Sequence, residues 1–171
     1  MFRATKLLVV SLLVLIYIIM PTKYILAENT KTENNNYQYK NSNSIEQRKE
    51  VINISNEELL LLSKLITGEA RGESYEGQLA VAAVVINRVK DSRFPDTIKD
   101  VIYQRNAFSV VKDGSINMSP TESAYKAAQE ALYGEDPTNQ AIYFWNPDIA
   151  TCKWIRTLNP YMRIGNHVFA K

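Results

Sequence analysis

The sequence predicts an α+β domain, mostly helical, with a small strand element toward its C-terminus. Three observations carry this expectation. Apolar residues recur at helical spacing through LLLLSKLI and QLAVAAVVINRVK. A cap, a proline and an acid open a further helix in SPTESAYKAAQEALYG. Only after that helix do short aromatic and branched stretches, AIYFWN and HVFAK, replace the helical spacing.

Ahead of this domain lie two appendages. Arg3 and Lys6 precede an apolar run from Leu7 to Met20, Pro21 ends it, and Ala27 offers a cleavage point with Ile25 two residues before it. That layout makes residues 1–27 a signal peptide, because the run is shorter than the roughly 20 apolar residues of a spanning helix. An uncleaved anchor extended past Lys23 to Leu26 is the other reading. Residues 28–50, ENTKTENNNYQYKNSNSIEQRKE, hold almost no aliphatic side chains, so burial cannot offset the entropy of ordering them and they read as a disordered tether. Residues 51–171 form the globular domain.

Within that domain, Ser55 and Glu58 make a capping-box pattern before the first helix, which runs out at Gly68 and leaves Glu69 projecting from its C-terminal end. A second, core helix spans Tyr75 to Lys90 with Ser74 as cap. A third covers about Thr97 to Gln104, after Pro95 and a cap at Asp96. RNAFSVVKDGS reads as extended, turning at Asp113 and Gly114. The fourth helix takes Ser119 as cap, Pro120 in first position and Glu122 in third, with Gly134 closing it. The two strands are separated by a loop holding Asn146, Pro147, Trp154 and Arg156.

Composition narrows the chemistry. The 171 residues carry 20 basic and 18 acidic side chains, and removal of residues 1–27 takes Arg3, Lys6 and Lys23 and no acid, leaving 17 against 18. Neither nucleic-acid binding nor strong attachment to an anionic surface follows from such a balance. One Cys and one His are too few for a catalytic zinc site, and although calcium held by Asp and Glu stays open, no loop of alternating acidic ligands appears, so no cofactor is expected. Cys152 has no partner for a disulfide and reads as a small buried apolar residue. No GxSxG elbow is present, and a Cys152–His167 dyad is the nucleophilic alternative to a buried thiol and a hydrogen-bonded histidine.

The stretch ITGEARGESYEG, residues 66–77, places two glutamates four apart among three glycines. Glycines so close together weaken a helix by roughly 1 kcal/mol each, so something other than helix stability sets them. Glycosidic cleavage needs an acid that holds its proton at neutral pH. An apolar helix behind Glu69 and the negative end of that helix's dipole both favour the neutral carboxyl. Glu73 is either a second carboxylate, positioning water or sugar, or a surface acid beside Arg71. For Glu69 itself, function and solvated decoration both remain open on the residues alone.

Taken in order, GEARGE, YEGQLAVAAVVINRV, FSVVKDGS, YFWNP, WIR and IGNHVF resemble the cell-wall hydrolase family of spore cortex-lytic enzymes, the SleB/CwlJ type, over about Leu59 to Lys171. The resemblance implies a lysozyme-like, lytic transglycosylase-like catalytic domain that degrades spore cortex peptidoglycan during germination. It puts the catalytic glutamate, the first acid of GEARGE, at Glu69. The same analogy offers Phe108, Ser109, Tyr143, Trp145, Asn146 and Trp154 for sugar binding, and sets His167 near the cleft as support for the site. Core packing of the aromatics, with Asn146 in a turn, is the alternative for each. The implied location is outside the cytoplasm, at the spore cortex, the outer face of the inner spore membrane or the cell wall, with an accessory membrane or wall protein as a further partner. Two other functions compete: a Cys/His-dependent stem-peptide amidase or endopeptidase, and a non-catalytic wall-binding protein.

Overall fold

In the computed structural model the described residues are 48–171. The expected signal peptide and all but the last three residues of the expected tether therefore lie outside them. Lys49–Lys171 make up one compact unit.

Helix α1, Asn56–Glu69, begins with the reciprocal bonds of a capping box: Glu58 N donates to Ser55 Oγ and Ser55 N to a Glu58 carboxyl oxygen, each at 3.2 Å. It buries Leu59, Leu62, Leu65 and Ile66, and two of its hydroxyls turn back onto the helix, Ser63 onto Leu59 O at 2.7 Å and Thr67 onto Ser63 O at 2.9 Å. Helix α2, Tyr75–Lys90, is capped by Ser74 as expected, and every residue from Ala80 to Ile86 is buried. It has apolar groups on all sides because it separates two clusters. Val81, Ala82, Val85 and Ile86 pack with α1 and its helical neighbours, while Ala80 and Val84 meet Ala141, Ile164 and Phe169. Small side chains let α2 approach its neighbours on both sides at once.

The following elements depart in detail from expectation. Helix α3 is Ile98–Ile102, and its cap is Thr97 rather than Asp96, since the Thr97 hydroxyl accepts from Asp100 N at 3.0 Å. The segment expected to be extended instead forms a one-turn helix α4, Ser109–Asp113, followed by a 3-10 turn at Ser115–Asn117. The paired valines suggested a strand, but Val110 faces α1 and Gly114, at φ +81°, stops the turn after one circuit. Helix α5 is Glu122–Leu132, capped by Thr121 and not Ser119. Thr121 wins because it is tied from both sides: its hydroxyl accepts from Ala124 N at 3.2 Å, and its N–H donates to Thr67 Oγ1 at 3.0 Å. Gly134, at φ +95°, follows the last turn as expected.

Three short strands complete the domain: β1 Tyr143–Trp145, β2 Met162–Ile164 and β3 His167–Ala170. They form an antiparallel sheet in the order β1-β3-β2, with Phe144 opposite Phe169 and Ile164 opposite His167. β2 has no sequence counterpart among the expected elements, because a three-residue Met-Arg-Ile strand is too short to show alternation. Cys152 lies in the loop between β1 and β2 and is exposed, which corrects the expectation of a buried thiol. Among the described residues no helix is long and apolar enough to cross a membrane.

The cap of α5 can be checked directly. Thr121→Ala should lower stability by about 1 kcal/mol, whereas Ser119→Ala should stay within about 0.5 kcal/mol, both read from denaturant midpoints. Equal effects would return the cap to Ser119.

Candidate active site

Glu69 is the last residue of α1, and Gly68 lies inside the helix rather than ending it. The physical reason for that glycine is contact with α4: a Cβ on Gly68 would overlap Val110 Cγ1. With no side chain there, α4 seats its first turn against the last turn of α1. Glu69 Oε1 then accepts two hydrogen bonds, from Ser109 Oγ and from Val110 N, both at 3.0 Å. The Val110 N–H is one of the amides a helix start leaves without an intrahelical partner. Among the described residues Glu69 Oε2 accepts no hydrogen bond. One oxygen is therefore fixed and the other is available to a bound molecule.

Glu73 is held differently. Its side chain is 5% exposed. Oε1 accepts from Asn166 Nδ2 at 2.8 Å and Oε2 from Asn166 N at 3.3 Å, so both oxygens are engaged by the turn between β2 and β3. Gly165 makes this possible, since it adopts φ +57° and any Cβ there would overlap Glu73 Oε2. The reading of Glu73 as a surface acid beside Arg71 is thus corrected, and Arg71 reaches Met118 Sδ instead at 3.1 Å.

His167, the first residue of β3, is buried beside this pair. Its ring meets Phe144 edge-on at 5.2 Å, and Nδ1 lies 4.0 Å from Glu73 Oε1. The expectation of a hydrogen-bonded histidine is not met at that nitrogen, which has no partner. Burial pushes the imidazole below its ordinary range, against the opposing pull of the Glu73 and Glu69 charges, and so favours the neutral ring. No hydrogen bond links it to Cys152 among the described residues.

The remaining named residues sort by burial. Ser109 is exposed and bonds Glu69. Phe108 is 4% exposed and Trp145 is also buried, packed with Val168 and Ala170, so neither offers a ring face to solvent. Asn146 Oδ1 accepts from Asp148 N at 2.9 Å, the geometry of a turn. Trp154 is 55% exposed and stands edge-on to Tyr143 at 5.3 Å. Of the proposed sugar platforms, Trp154 has the most open ring.

Two contributors went unnamed in the sequence reading. Asn166 supplies both bonds to Glu73, and nothing but its place in IGNHVF marks it. Arg88 is buried in α2, donates from Nε to Ile142 O at 2.7 Å, and sets its guanidinium 5.1 to 5.7 Å from the ring centres of Phe94, Phe108 and Tyr143. Burial lowers it to about 10, with Tyr143 and Glu69 opposing, so it remains a cation at neutral pH. An arginine two residues past the apolar run that ends at Ile86 was the available signal. Among the described residues no group of three His, Cys, Asp or Glu side chains could hold a metal ion.

A mostly helical α+β domain with a carboxyl at a helix end beside a small sheet is the architecture this chain shares with two solved catalytic domains. The chain belongs to the Cell Wall Hydrolase family, whose model matches residues 72–170. It is 47% identical over 117 residues to a spore cortex-lytic enzyme of Bacillus cereus, a match covering 68% of this chain and 45% of that protein. The chain thus spans less than half the length of that relative. The solved catalytic domain of the Bacillus cereus SleB protein superposes with a TM-score of 0.66 at 46% identity, over 70% of this chain and 93% of that one. A second solved structure, the catalytic domain of the germination-specific lytic transglycosylase SleB from Bacillus anthracis, also gives 0.66 at 46% identity, over 69% and 97%.

The contact at Gly68 has a measurable consequence. Elsewhere in a helix, Gly→Ala gains about 1 kcal/mol. Gly68→Ala should instead lose about 1 kcal/mol net, because overpacking costs typically 1–3 kcal/mol, as measured by denaturant unfolding. A stabilised variant would mean that α4 is not pressed against α1.

Proposed function

We propose that this chain cleaves the glycan strand of spore cortex peptidoglycan during germination, as a lytic transglycosylase in which Glu69 serves first as acid and then as base. The observation that carries the reading is the asymmetry of that carboxyl: Oε1 is fixed by Ser109 and Val110, while Oε2 is left for a substrate. In the neutral acid the proton sits on Oε2, with Oε1 as the carbonyl oxygen receiving both bonds. Membership of the family, and likeness to catalytic domains titled as SleB, support the substrate class.

The reaction follows in two proton transfers. Oε2–H protonates the glycosidic oxygen as its bond to the muramoyl C1 breaks, leaving an oxocarbenium-like centre and a Glu69 carboxylate. The carboxylate then takes the proton of the muramoyl 6-hydroxyl as that oxygen bonds to C1, closing an anhydro ring and restoring the acid. No water is consumed. Hydrolysis by the usual two-carboxylate route would need a second acid facing the sugar. Glu73, with both oxygens engaged by Asn166, is poorly placed for that, which favours the single-acid route.

Trp154 is the best candidate for stacking on a pyranose face, with Tyr143 bracing it from the edge. Export through residues 1–27 and action at the cortex belong to the same proposal, and the sequence layout supports them. The near-neutral charge of residues 28–171 gives little long-range attraction to a wall polymer, so an accessory membrane or wall protein fits as a retaining partner.

Glu69→Gln should abolish muropeptide release from cortex while leaving the circular dichroism spectrum and melting temperature intact. Mass spectrometry of the wild-type digest should show anhydro-muramic ends. Reducing ends would mean hydrolysis, and unchanged release by the variant would remove Glu69 from the mechanism. Trp154→Ala should raise KM about tenfold with kcat little altered, as expected for a stacking contact of roughly 1.4 kcal/mol.

A further inference from the structure

We infer that Glu73 is a positioning residue and not a second catalytic carboxylate: by binding Asn166 and facing His167, it fixes the β2–β3 turn and the imidazole beside the segment that carries Glu69. This inference rests on the proposed glycan cleavage by Glu69.

The geometry argues it in steps. A carboxylate that serves as base or nucleophile must turn an oxygen toward the sugar, yet each oxygen of Glu73 already accepts from Asn166. The side chain is 5% exposed and boxed in, since a Cβ on Gly165 would overlap its Oε2 and one on Gly77 would come within 2.9 Å of its own Cβ. No approach is left for a substrate. What the group does hold is the joint between the helices and the sheet, because Glu73 follows α1 by four residues and Asn166 links β2 to β3.

His167 supplies the second observation. Among the described residues, its Nδ1 is the one buried side-chain nitrogen or oxygen without a hydrogen-bond partner, and the Glu73 carboxyl oxygen lies 4.0 Å away. A carboxylate facing Nδ1 favours the tautomer with its proton there, which leaves Nε2 as the acceptor. The charged groups acting on the ring are Glu73 first and Glu69 second. β1 contributes the Phe144 ring, and Arg163 of β2 is engaged with Gly165 O at 3.1 Å. Glu73 therefore faces, and opposes the effect of burial on, a ring that also feels the catalytic acid.

Glu73→Gln keeps the shape but sets an amide NH2 against one of the two Asn166 donors. In full-length protein its kcat on cortex fragments should fall about ten- to a hundredfold, with KM within twofold and with activity still well above that of Glu69→Gln. Glu73→Asp, which keeps the charge, should lie between it and the wild type. His167 is the single histidine of the sequence, so its imidazole resonance can be followed without ambiguity in an NMR titration. Its midpoint should move down in Glu73→Gln and by less in Glu69→Gln, a shift that loss of packing alone would not order in this way.

Should Glu73→Gln fail to fold, Asn166→Ala removes the turn's side-chain donor without touching the carboxylate and should reproduce the kcat loss at unchanged KM. Wild-type kcat in these variants, an unmoved histidine midpoint in Glu73→Gln, or a loss as complete as that of Glu69→Gln would overturn the inference. The NMR result stands apart from activity, and an active Glu69→Gln would instead defeat the proposed function.

Discussion

The structure turns on the contact between the last turn of α1 and the first turn of α4. Helices normally keep side chains between their axes, and here one position has none. The absence of a Cβ at Gly68 brings a backbone amide within hydrogen-bond distance of the neighbouring Glu69, and Ser109 adds its hydroxyl from the same turn. An α4 that began a turn earlier would spend the Val110 N–H on its own backbone. The short helix and the interior glycine are thus two parts of one device for holding a single carboxyl oxygen.

Behind the device, rigidity comes from α2. Its alanines and valines let both apolar clusters close on it, and Arg88 is the one charged side chain it buries. The guanidinium costs solvation, which its bond to Ile142 O and its three surrounding rings offset in part. One of those rings is Phe108, the residue immediately before Ser109. The cation is in this way built into the floor beneath the donors of Glu69.

Much of this was legible in the sequence and some was not, for reasons that differ by element. The capping box at Ser55 and Glu58, the Ser74 cap and Gly134 are local patterns, and local patterns transfer to the fold directly. Thr121 was missed because its advantage over Ser119 comes from Thr67, 54 positions away, which no window of sequence includes. α4 was misread because valine's strand preference is weak beside tertiary contact. The ordered motif set led to the family, and the glycines of residues 66–77 marked a demand other than helix stability, which at Gly68 and Gly77 is close approach. Burial of Glu73 could not be read, since its partner Asn166 lies in a turn whose first strand, β2, was itself too short to recognise.

The bonds between Glu73 and Asn166 join residues 93 positions apart. As the chain is made from its N-terminus, the carboxyl at position 69 emerges long before the hairpin that seats its neighbour. A domain assembled in this order carries its own delay: the segment bearing Glu69 is not braced until the last two strands have come together.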